Sequence, residues 1–185
     1  MTVDREEAGA LLNAVEGIEG RVRQLLLYAH VSDYLFLWGT IWFVGFIGDY
    51  LLKDRAALLW LALQGIGLIG TVLIVARHRR NAGTQNWAMV ARAGISVIAV
   101  IGFGTLWLSL FHVGWREEVT FWPTFLSFLL FLVGLWAGRT LALAAVAIFA
   151  ISLLGYFVAT GPYLLLWMAV AGGGSMLAGG VWLRR

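Results

Sequence analysis

Residues 56–80 read AALLWLALQGIGLIGTVLIVARHRR, and this stretch decides the fold. No charged side chain occurs from Ala56 to Ala76, and Arg77-His78-Arg79-Arg80 then closes the run. A helix rises about 1.5 Å per residue, so a hydrocarbon core of roughly 30 Å takes about 20 residues to cross. The run meets that length without a break. A membrane strand would need only ~10 residues and would alternate apolar with polar, which this stretch does not do. A helix also satisfies its own backbone N–H and C=O groups where no water is present to do so. The reading is therefore a membrane-spanning helix with a basic cytoplasmic end.

Five similar runs flank it. The expected spans are Tyr34–Leu52, Ala56–Ala76, Ala93–His112, Val119–Ala137, Thr140–Val158 and Pro162–Leu183. The whole composition agrees: 61% of the 185 residues are hydrophobic and 12% are charged. Soluble domains are roughly 45–50% apolar and about 25% charged. Too little polar surface remains to cover a water-soluble globule. The fold class is all-α: a polytopic six-helix transmembrane bundle over residues 32–185, preceded by a cytoplasmic amphipathic helix over residues 1–31. There is no cysteine, which removes disulfides and thiolate chemistry. The net charge of +3 lies in short clusters between apolar runs and does not indicate nucleic-acid binding. Residues 1–33 are charged and amphipathic, unlike a secretory signal.

Orientation follows from the basic residues. With the N-terminus inside, the inner segments carry Arg5, Arg21, Arg23, Arg77, Arg79, Arg80, Arg92, Arg139, Arg184 and Arg185, and the outer loops hold only Lys53, Arg55 and Arg116. That asymmetry matches the positive-inside rule and places both termini in the cytoplasm of a bacterial inner membrane. Trp38, Trp87, Trp136 and Trp182 fall near the inner interface, and Trp60, Trp107, Trp115 and Trp122 near the outer one, as an aromatic belt would. Pro123 and Pro162 are expected in the first turn of helices that start outside, where a missing N–H costs nothing.

Before the first span, Leu11, Val15, Ile18, Val22 and Leu25 recur at alternating steps of four and three, the seam of a coiled-coil-like helix. Such a seam packs on the bundle itself, pairs with a second copy, or docks a cytosolic partner. Its mixed charge argues against a lipid-surface helix. Ser32-Asp33 reads as the N-cap of the first membrane helix.

Ionisable groups deep in a membrane are costly and point to function. Asp49 and Lys53, spaced i,i+4 near the outer end of the first span, read as an interfacial ion pair. Gln64 is the deepest strongly polar side chain and is a candidate solute or helix contact. No acid or base lies at mid-membrane, which disfavours ion-coupled pumping. The three histidines do not converge on a haem or metal site, and no hydrolase motif is spaced for catalysis. No cofactor is expected. Gly172-Gly173-Gly174 in the last span is the other candidate: small residues let helices approach closely, or the triplet unwinds to expose backbone to a solute.

Ser32-Asp33-Tyr34, Leu37-Trp38-Gly39 and Ile41-Trp42, together with the ending Gly179-Gly180-Val181-Trp182-Leu183-Arg184-Arg185, resemble small uncharacterised bacterial six-helix integral membrane proteins. The resemblance implies the fold and the membrane and carries no activity or functional residue. The functional expectation is a non-enzymatic accessory, sensor or regulatory protein acting through its cytoplasmic N-terminal helix. The alternative is a small transporter or channel for a neutral or hydrophobic solute.

Overall fold

The computed structural model describes residues 31–81 and 87–184. The seam residues Leu11, Val15, Ile18, Val22 and Leu25 lie outside them. The described residues are helical almost throughout and contain no strand. Five helices are long and apolar enough to cross a membrane: Val31–His78, Gly94–Phe111, Trp115–Trp136, Arg139–Val158 and Tyr163–Leu183.

The first of these is 48 residues long, roughly 70 Å if straight at about 1.5 Å per residue. It is not straight. Helix α1 (residues 31–52) meets a 3-10 turn at Lys53–Arg55, and α2 (Ala56–Asn81) follows. Lys53 takes φ +41°, a left-handed conformation uncommon outside glycine, and the chain reverses there. The reversal brings distant residues together. Trp60 Nε1 donates to Asp49 at 3.0 Å near the bend, Trp38 Nε1 to Thr71 at 3.2 Å, and the His78 ring meets Asp33 at 2.9 Å at the open end. Glycines make this contact close: Gly45 lies under the Trp60 ring and Gly67 under the Trp38 ring.

Helix α3 (Trp87–Phe111) lies against α2 and turns much of its apolar surface outward, including Ile95, Ile98, Phe103, Leu106 and Leu110. Helices α4 (Trp115–Ala137) and α5 (Arg139–Val158) form a tight antiparallel pair joined by Gly138 alone. Gly138 has φ +142°, which an L side chain rarely adopts. Just beside it, a methyl on Gly134 would stand 2.5 Å from the Ala142 backbone nitrogen. The opposite end of the pair is held by Arg116. Its guanidinium donates to the carbonyls of Tyr156 and Ala159, the latter at 2.9 Å, and so satisfies acceptors that the end of α5 leaves unpaired. Glu117 accepts the Tyr156 hydroxyl at 2.8 Å.

The last helix has three parts: α6 (Tyr163–Met168), a π-helical stretch Ala169–Gly174, and α7 (Ser175–Leu183). It runs antiparallel to α1, with Phe36 beside Gly180, Gly39 beside Met176, and Phe43 beside Gly173. The core forms where α1, α4 and α6 meet, from Ile41, Trp42, Phe46, Val119, Leu164, Leu165, Met168 and Ala169.

Three expectations need correction. Helix α4 begins at Trp115, so Pro123 sits inside it and not in its first turn; Pro123 is fully buried, packed toward Gly172. Ser32 and Asp33 are already within helix, and their side chains reach across the bundle instead of capping a first turn. Ser32 Oγ donates to Gly180 O at 2.8 Å, and Asp33 takes both His78 and Arg184. The tryptophans divide: Trp136 and Trp182 are 93% and 56% exposed, whereas Trp38 and Trp60 turn inward to specific partners.

Candidate solute cavity

One face of α1 carries Trp42, Phe46, Asp49 and Tyr50, which recur at helical spacing and share a side, and Lys53 follows in the turn. This face lines a cavity of about 750 Å³, closed elsewhere by Trp60 and Gln64 of α2, Thr105 of α3, Trp115, Glu118 and Trp122 of α4, and Pro162 and Leu165 before and within α6. That volume is within the roughly 300–1,000 Å³ of small-molecule sites. Five sequence-distant elements therefore converge on one space.

The aromatic wall is ordered by edge-to-face contacts. Trp42 meets Phe46 at 5.7 Å and Phe46 meets Trp60 at 5.2 Å between ring centroids, an arrangement that rings favour because edge and face carry opposite partial charge. Gly104 leaves room for Trp122 beside α3, where an added methyl would stand 2.6 Å from the indole.

Two of the lining residues each carry a polar atom that is buried, covered from the space itself and without a hydrogen-bond partner, Trp42 Nε1 and Gln64 Oε1; a third such atom, Ser152 Oγ, lies in α5 outside the lining. Trp42 is only 2% exposed. A buried polar group left unpaired costs about 1–3 kcal/mol. Gln64 lies eight residues from the start of α2, about 12 Å deep at ~1.5 Å per residue. One donor and one acceptor thus lie unpartnered beneath the wall, within reach only if a side chain of the wall turns.

Toward the helix ends the wall becomes charged. Asp49 and Lys53, expected to pair with each other, both line the cavity, but Asp49 Oδ2 accepts from Trp60 and no Asp49–Lys53 bridge forms. Among the described residues the ion pairs centre on Asp33 at the other end of α1. Glu118 is exposed and stands at the junction of this cavity with a smaller one bounded by Ser109 and His112.

The glycine triplet lies behind the cavity. Gly172 faces Trp42 and Pro123, Gly173 faces the α1 backbone, and Gly174 has nothing nearer to an added methyl than Ala169 O at 3.7 Å. The segment is π-helical with its backbone still in the right-handed helical region at both flanks, so it is widened and not unwound. A π-bulge commonly marks a functional stretch of helix. Here it sets Gly172 and Gly173 against two neighbours at once.

Trp42, Phe46, Glu118 and Trp122 were not among the candidate site residues of the sequence, where Trp122 counted only as an interface tryptophan. The α1 spacing was a visible signal, but it is equally the spacing of a core-facing stripe. Glu118 sat just before the expected start of its span. Among the described residues no three His, Asp or Glu side chains gather as metal ligands. No family model, curated protein or solved structure matches this chain.

Proposed function

We propose that this chain is a non-enzymatic, six-crossing membrane protein that binds a small, largely apolar solute in the α1–α2–α4 cavity and passes it through the bilayer as a transporter or channel. The observation that carries this reading is a space large enough for a small molecule, lined by residues of five helices, two of which, Trp42 and Gln64, keep a buried polar atom without a partner. A helix bundle that only needed to pack would have filled that space.

Counting α1 and α2 separately gives six crossings, and the fold-back that sets His78 beside Asp33 supports that count. The arginine distribution supports an inner-membrane location with Asp33, His78 and Arg184 on the cytoplasmic side and Lys53, Glu118 and Pro162 outside. The cavity then opens toward the outer leaflet. Purified protein in liposomes should raise the flux of at least one member of a panel of small apolar solutes above that of empty vesicles. An unchanged flux across the panel would count against transport.

A second reading keeps the chain as an accessory or sensor protein acting through residues 1–31, as a homo-oligomer contact or a cytosolic docking helix. What favours it is the Asp33 cluster: Ser32, Asp33, His78, Gly180 and Arg184 tie the start of α1 to the ends of α2 and α7. A pull on the N-terminal segment would reach three helices. Deleting residues 1–30 should then abolish a specific crosslink; unchanged crosslinks exclude this reading.

A further inference from the structure

The charges on the cavity wall do not balance. Asp49 and Glu118 are carboxylates, and Lys53 is the one basic side chain that lines the space with them. The neighbouring Arg116 is engaged elsewhere: it bonds the end of α5 and lies over the Tyr156 ring at 5.4 Å. Only Oδ2 of Asp49 is bonded, to Trp60 Nε1. The Glu118 carboxylate has no hydrogen bond or ion pair among the described residues. The wall therefore presents one formal negative charge more than it neutralises.

The rest of the wall is built from rings. Trp42, Trp60, Trp115 and Trp122 surround the space. An indole face attracts a cation within about 6 Å of its centroid, more strongly than other rings and more strongly when water is excluded. An anion would meet both carboxylates. A neutral solute would fill the volume and leave the excess charge uncompensated. A single positive charge answers both features.

We infer that the solute is a small organic cation, with one ammonium group held between the Asp49 and Glu118 carboxylates and the indole faces, and an apolar body extending toward Trp42 and Gln64. This rests on the cavity being a solute site. It adds the sign of the charge and the groups that read it. Lys53 at the same rim limits the charge to one, because a dication would face an ammonium as well as the two acids.

The test uses the full chain in nanodiscs of uncharged lipid, with tryptophan fluorescence as the readout. The probes are benzyltrimethylammonium, its neutral isostere neopentylbenzene, and benzenesulfonate. The cation should bind roughly tenfold or more tightly than the isostere, and benzenesulfonate should not bind. Asp49→Asn and Glu118→Gln should each reduce cation affinity about tenfold and leave the isostere unchanged. The amide of Asp49→Asn still accepts from Trp60, and Glu118 is exposed, so Glu118→Gln serves on its own if the first variant disturbs packing. Cation and isostere binding within about threefold of each other, or cation affinity untouched in both variants, overturns the charge inference and leaves the cavity reading standing. Failure of both the cation and the isostere to bind overturns the two together.

Discussion

Gly173 lies so close to Phe43 that a methyl group added to it would stand 2.7 Å from the Phe43 Cα and 2.8 Å from Gly39 O. The obstacles are backbone atoms, which cannot rotate away. Helix–helix association in a bilayer gains little from expelling water and depends on such close packing. Gly173→Ala should therefore destabilise the fold by about 1–3 kcal/mol. Gly65→Ala is the control, since nothing lies within 4 Å of the added methyl; it should be neutral or stabilise by about 0.5–1 kcal/mol. Unfolding in mixed micelles by denaturant measures both. Equal effects at the two positions would mean that the crossing of α1 with the π-helical stretch is not held by this contact.

Asp33 bonds His78 at 2.9 Å and Arg184 in the same cluster, with Arg184 Nε also donating to Ser32 Oγ at 2.9 Å. The Asp33 and His78 side chains are 32% and 20% exposed, so solvent screens the pair and each coupling should be about 0.5–1 kcal/mol or less. A double-mutant cycle on Asp33→Ala and Arg184→Ala should show that the two losses do not add. Strictly additive losses would mean the contact contributes nothing.

Gln64→Leu separates stability from binding. The amide oxygen is buried without a partner, so replacing the side chain by an apolar one of similar size should leave stability unchanged or raise it by about 1 kcal/mol. Solute binding should weaken in the same variant. A marked drop in melting temperature would instead make Gln64 a structural helix contact.

The absence of cysteine makes topology directly readable. Arg55→Cys and Thr160→Cys, both at exposed positions, should react with an impermeant maleimide from outside intact cells, whereas Arg77→Cys and Arg139→Cys should react only after permeabilisation. If Val31–His78 crossed once, Arg77→Cys would label from outside and Arg55→Cys would be shielded by lipid. That pattern would replace six crossings by five.

The long apolar helices were legible because crossing hydrocarbon would impose a local requirement: each segment must be apolar over its own length, whatever its neighbours do. Residues 56–76 satisfy it alone, and α2 includes them. The cavity was only partly legible. Gln64 and Asp49 stood out as polar groups in apolar runs, but the i, i+4, i+7 spacing of Trp42, Phe46 and Asp49 does not say whether a helix face meets protein, lipid or an empty space.

Sequence by itself determined the all-helical character and the presence of helices long and apolar enough to cross a membrane, since hydropathy sums along the chain and needs no partner. Tertiary structure alone decided the rest. It turned Trp38 and Trp60 inward, broke the expected Asp49–Lys53 pair, placed Pro123 inside α4, and joined Ser32 to Gly180, 148 residues away. Those outcomes depend on how each helix is rotated against its neighbours. Rotation is set by where glycines allow close approach and where bulky rings forbid it, and that is a property of pairs of helices.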